Sequence, residues 1–131
     1  MTKTFVYIFS GYFNSREDAC LYSEPQWLLE PDETASDEEY YEWENQNPKH
    51  QLRKNIDIRM DTDFIETVAK DYEYLFELKI SNYQLNEIRE KSINSNYLVL
   101  VYEQAFGSIQ CLPQPVSNSF LIYCGKYQCF L

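Results

Sequence analysis

The apolar positions of this chain fall into a few dense runs separated by long polar stretches. Thr4, Phe5, Val6, Tyr7, Ile8 and Phe9 form a β-branched and aromatic run that reads as a strand. It is apolar on both faces, which places it centrally in a sheet, and Ser10 and Gly11 end it. Asn14 and Ser15 then offer capping oxygens. Ser15 with Asp18 three positions later has the form of a capping box, with Asp in place of the usual Glu. A helix is expected over residues 16–22, with Ala19 and Cys20 turned inward.

Residues 25–35 are punctuated by Pro25 and Pro31 and read as irregular, with Trp27, Leu28 and Leu29 forming a short turn that anchors the segment to the core. Ser36 and Glu39 make a full capping box. Asp37 and Glu38 sit where a helix start favours negative charge. A helix over residues 37–46 follows, stopped by Asn47 and Pro48. On it Tyr40 and Trp43 share one face, and Glu38 and Glu42 share another.

Residues 56–60 alternate and suit a short strand. Residues 64–76 are ambiguous. Phe64, Ile65, Val68, Tyr72, Leu75 and Phe76 recur at helical spacing, yet residues 64–69 equally suit a strand. Residues 82–92 carry Leu85, Ile88 and Arg89 at helical spacing. Tyr97, Leu98, Val99, Leu100, Val101 and Tyr102 form the strongest strand of the chain. Gly107, Pro113 and Pro115 mark a loop. Phe120, Leu121, Ile122, Tyr123 and Cys124 form another buried-type strand. Gly125 permits a turn or bulge, and residues 127–131 continue as an edge strand. This order predicts an α+β (or α/β) fold in one domain over residues 1–131, a single mixed sheet with helices packed against it.

Composition leaves that picture intact, but charge changes it. The chain has 131 residues, 44% hydrophobic and 17% aromatic, with a formal net charge of −10. Nearly all of that charge is local. Residues 17–48 hold eleven Asp and Glu and no Lys or Arg, whereas the rest of the chain has ten acids and eleven bases. Like-charged neighbours on a helix cost roughly 0.2–0.5 kcal/mol per pair, so folding alone gives no reason for the block. Tyr22, Trp27, Tyr40, Tyr41 and Trp43 are interleaved with the acids, and a mixture of carboxylates with Tyr and Trp suits the capture of a basic protein. Nucleic acid is disfavoured as a partner, because a phosphate backbone needs Lys and Arg. No apolar stretch is long enough for a leader or a membrane span, which gives the cytoplasm as the expected location.

Residues that carry catalysis are scarce. His50 is the only histidine and lies in a polar stretch. Gly11, Gly107 and Gly125 are isolated, so no phosphate-cradling loop is present. Asp57, Asp61 and Asp63 resemble the start of a calcium loop, but its sixth and twelfth positions hold Thr62 and Val68 instead of Gly and Glu. Cys20, Cys111, Cys124 and Cys129 have no zinc-type spacing and read as reduced thiols, buried or partly buried. The expectation is therefore a non-enzyme with no catalytic residue, no cofactor and no metal.

Several segments resemble the immunity protein 22 family. They are residues 7–18, a strand entering a Gly-aromatic turn and a capped helix; residues 61–66, an acidic and aromatic segment; and the strands at 96–102 and 120–127. The loop carrying Pro113 and Pro115 and the acidic insert at 37–44 depart from that pattern. The resemblance implies that residues 64–69 are strand. It also implies a cytosolic bacterial antitoxin of intercellular competition that binds and neutralises a cognate toxin domain, frequently a nuclease with a basic cleft. Asp32, Glu33, Asp37, Glu38, Glu39, Glu42 and Glu44 are the expected electrostatic surface, with Tyr40, Tyr41 and Trp43 as contact anchors. Two other readings share part of these features: an acidic regulatory or inhibitory domain that mimics nucleic acid, and a small enzyme using carboxylates or a cysteine.

Overall fold

The computed structural model describes residues 2–46, 51–52, 60–70, 72–107 and 121–131. Its elements are β1 (Lys3–Gly11), α1 (Arg16–Ser23), α2 (Asp37–Gln46), a 3₁₀ turn (Thr62–Phe64), β2 (Ile65–Ala69), α3 (Tyr72–Glu77), α4 (Asn82–Lys91), β3 (Tyr97–Tyr102), a second 3₁₀ turn (Glu103–Phe106) and β4 (Ile122–Phe130). The strands form one four-stranded sheet in the order β2-β3-β1-β4. This is an α+β fold, and β1 is central, as its two apolar faces predict.

Every pairing is antiparallel, so the sheet is not mixed as expected. Strands apolar on both faces suggest a parallel or mixed sheet. Here an antiparallel sheet acquires the same pattern because both of its faces are covered. On one face Val6, Ile8, Leu98, Leu100 and Tyr127 pack against Leu75 of α3, Leu85 and Ile88 of α4, and Leu78 and Ile80 between those helices. On the other face Tyr7, Phe9, Val99, Val101 and Leu121 meet Tyr22 of α1, Leu52, Met60, Ala105 and Phe106. Alternation of side chains along each strand divides neighbouring residues between the two layers.

Residues 64–76 divide in two: strand β2 pairs Ile65 with Val101 and Val68 with Leu98, and helix α3 follows. The helical recurrence spans a strand and a helix that meet the same core, so it does not describe one element. The alternating strand expected at 56–60 lies outside the described residues, apart from the non-strand Met60; so do Cys111, Phe120, the 113–115 prolines and His50.

Local chemistry fixes the element ends. Ser15 Oγ accepts from the Asp18 N–H at 3.1 Å and Ser81 Oγ from that of Gln84 at 3.3 Å. Helix α3 ends in a Schellman motif: the Lys79 N–H donates to Phe76 O and that of Ile80 to Leu75 O, with Lys79 at φ 66°. Asn96 ties the turn after β1 to the start of β3. Its Oδ1 accepts from the Phe13 N–H at 2.9 Å and its Nδ2 donates to Phe13 O at 2.7 Å.

β4 is one strand interrupted by a bulge, where Ile8 pairs with Gly125 and Phe9 with Tyr123, leaving Cys124 as the extra residue. Gly125 has φ 133°, and a Cβ there would lie 2.7 Å from Tyr127 Oη. That hydroxyl donates to Cys124 O at 2.6 Å, so the Tyr127 ring closes over the glycine. Among the described residues no helix is long and apolar enough to cross a membrane.

Candidate functional site

The acidic residues occupy a lobe built on the loop after α1 and on α2. Helix α1 ends at Ser23, whose hydroxyl accompanies the last turn by donating to Ala19 O at 3.1 Å and also meets the Thr67 hydroxyl of β2. The chain then enters the loop that leads to α2. Asp32 Oδ1 accepts from both the N–H and the hydroxyl of Thr34, at 2.8 and 2.6 Å, folding a tight turn. These bonds, with the Thr34 hydroxyl foremost, hold the Asp32 carboxyl below its ordinary value. Ser36 Oγ accepts from the Glu39 N–H at 3.2 Å and starts α2, as the capping box predicts.

Helix α2 buries none of its residues and contributes to neither core layer. Two side chains hold it against the loop. The Tyr40 hydroxyl donates to Pro31 O at 2.8 Å, and Trp43 Nε1 donates to Leu28 O at 3.0 Å. The Trp43 ring also meets that of Trp27, with centroids 6.1 Å apart. With about 3.6 residues per turn, Glu38 and Glu42 stand opposite Tyr40 and Trp43, and Asp37, Glu39 and Glu44 flank them. All five carboxylates are exposed, together with Asp32 and Glu33. The lobe thus presents negative charge around most of the helix, and the segment itself contains no base to neutralise it.

The structure gives the sequence-selected residues different tasks. Tyr40 and Trp43 are half-buried and use their polar groups to fasten the helix to the loop. Asp32 shapes a turn. Tyr41 is 67% exposed, and Glu33, Asp37, Glu38, Glu39, Glu42 and Glu44 face solvent. The expectation that Trp27, Leu28 and Leu29 anchor the loop to the core is overturned: they are 62%, 44% and 95% exposed. Sequence reading assigned them inward because they are large and apolar. The contrary signal was their setting, between two prolines and beside Glu24, Glu30, Asp32 and Glu33.

Elsewhere, an open groove of about 500 Å³ lies between α3 and α4, lined by Lys70, Tyr72, Glu73, Phe76, Asn82, Leu85 and Arg89. Its two cations are engaged. Lys70 Nζ donates to Ser92 O at 3.2 Å, and the Arg89 guanidinium lies 4.9 Å from the centre of the Tyr72 ring. The thiols of Cys124 and Cys129 are poorly placed for nucleophilic work. Burial raises that of Cys124 and pushes that of Cys129 up to about 11, and a thiol so shifted is scarcely thiolate at neutral pH. Among the described residues no three His, Cys, Asp or Glu side chains converge on a common point.

Comparison with protein-family models, with curated proteins and with solved structures finds no match.

Proposed function

We propose that this chain is a non-catalytic immunity protein, which neutralises a basic toxin domain in the cytoplasm by binding it one to one. The observation that carries the reading is the lobe. A helix with three acids in its first turn and no buried residue is capped, fastened to its own loop and kept out of both core layers. Self-repulsion makes such an element unfavourable in isolation, and a cationic partner relieves it. Exposed carboxylates at the rim of an interface act mainly on encounter, raising association towards ~10⁸ M⁻¹s⁻¹ at low salt.

The test is co-expression with the toxin domain encoded beside this chain. Cells expressing both are expected to survive, and the two proteins are expected to co-purify at equal stoichiometry. The triple change Glu38→Lys, Glu39→Lys and Glu42→Lys is expected to slow association about tenfold or more and to flatten its dependence on salt. Survival without any complex, or catalytic turnover of the toxin, would favour the enzyme reading. Association kinetics unaltered by the triple change would take α2 out of the interface.

A further inference from the structure

The loop of the acidic lobe carries apolar surface that the fold leaves unused. Trp27, Leu28 and Leu29 are consecutive and exposed, and none of them belongs to either core layer. Single exposed apolar residues are ordinary, but a contiguous group beside a strongly charged surface is characteristic of contact sites. The internal demands of the lobe account for part of it. Trp27 lies against Trp43, and the Leu28 carbonyl accepts from Trp43 Nε1. Leu29 is different: at 95% exposed, its side chain stands almost wholly in water.

The backbone that presents Leu29 is held from both sides. The hydrogen bond from Trp43 fixes residue 28 and that from Tyr40 fixes residue 31, both at 3.0 Å or less. A side chain displayed on a fastened loop loses less entropy on docking than one on a loose loop. Glu30, Asp32 and Glu33 follow directly in sequence. An exposed apolar side chain thus sits in sequence directly before three exposed carboxylates, a charge and apolar pattern complementary to a cleft with an apolar floor and a Lys/Arg rim.

We propose that Leu29, flanked by Trp27, is the apolar anchor of the lobe and inserts into an apolar pocket within the basic cleft of the partner protein. This rests on the reading of the chain as a binder of a basic toxin domain. It divides the labour of the interface. The carboxylates of α2 set how fast the partners meet, and Leu29 sets how long they stay together. Tyr40 and Trp43 then act from behind, by holding the loop in place.

The experiment measures association and dissociation rates of the full chain with the toxin domain encoded beside it, at low and high salt. Leu29→Ala is expected to raise the dissociation rate about 10- to 100-fold, with association and its salt dependence unchanged. Leu29→Met, which keeps the bulk, is expected to restore most of the residence time. Because Leu29 is outside both core layers, both variants are expected to melt with the wild type, so a lost complex cannot be traced to misfolding. A wild-type chain that binds the toxin domain, with Leu29→Ala dissociating equally slowly, overturns the anchor and leaves the binder reading standing. A wild-type chain that forms no complex overturns both.

Discussion

The sheet and the acidic lobe are built by different rules. In the sheet, Val6, Ile8, Phe9, Val99 and Leu100 are wholly buried, and each is placed by alternation along a strand with cover on both sides. In the lobe, none of the ten residues of α2 is fully buried, and only Tyr40 and Trp43 are half-buried. Its form comes from a cap at Ser36, a turn at Asp32 and two side-chain bonds to the loop backbone. The sheet is held by area removed from water, the lobe by a small set of directed bonds. The packing that holds the sheet and the charge that marks the lobe thus lie in separate parts of the fold.

The sharpest way to break this comparison is to damage each region and compare the losses. Phe9→Ala removes a fully buried ring that packs on Tyr123 at 5.2 Å and is expected to cost about 3–5 kcal/mol. Denaturant unfolding measures it, and a loss below about 1 kcal/mol would mean that this layer is not the main source of stability. Gly125→Ala tests the bulge. The new methyl would meet the Tyr127 hydroxyl at a backbone angle that L residues rarely adopt, at an expected cost of about 2–3 kcal/mol. An additional Tyr127→Phe change should recover only a fraction of this, because the ring carbons would still lie 2.9 and 3.0 Å from the new methyl and the backbone strain remains.

Legibility in the sequence follows the same division. The runs at 4–9 and 97–102 announced strands, since continuous β-branched and aromatic residues have few other stable solutions, and the structure places β1 and β3 there. Helix α2 was bounded correctly because Ser36 and Glu39 are local chemistry. The antiparallel pairing was not legible, because burial on both faces depends on helices remote in sequence. The segment at 64–76 misled because one apolar recurrence served two elements joined near residue 70. In the lobe, Tyr40 and Trp43 were found as residues but not as fasteners, because their acceptors are backbone carbonyls nine and fifteen positions away. Leu29 was read inward because hydrophobicity alone carries no direction.

Titration separates the two regions by pH. Burial pushes the hydroxyls of Tyr123 and Tyr127 up to about 12 and the thiol of Cys129 up to about 11, from ordinary values of 10.0 and 9.0. The unfolded chain therefore loses these protons first. The stability these three groups contribute is complete below about pH 9 and is lost as pH rises towards 12. Asp32 has the opposite sign. Its lowered value stabilises the turn above the ordinary 3.8 and ceases to do so as pH falls through the folded value. Unfolding midpoints should fall steeply on the alkaline side. Below pH 4 the Asp32 contribution should appear as a small local change, read from the Thr34 amide. A flat alkaline limb would contradict the burial of these hydroxyls.

The smallest effect tests whether the lobe is energetically separate at all. Trp43→Phe keeps an aromatic ring beside Trp27, though a smaller one, and removes the Nε1–H that meets Leu28 O. One such bond is worth about 0.5–1.5 kcal/mol net. Since α2 has no side chain in either core layer, that loss should stay within the lobe. Hydrogen exchange of the amides in the second half of α2 should quicken about fivefold, while the midpoint of global unfolding stays where it was. If instead the whole protein melts earlier by the same free energy, the lobe and the sheet unfold as one unit, and the charge on α2 is then a cost borne by the entire fold. Local loosening alone would mean that Trp43 governs how the loop is presented without governing whether the sheet folds, which is the condition an anchor at Leu29 requires.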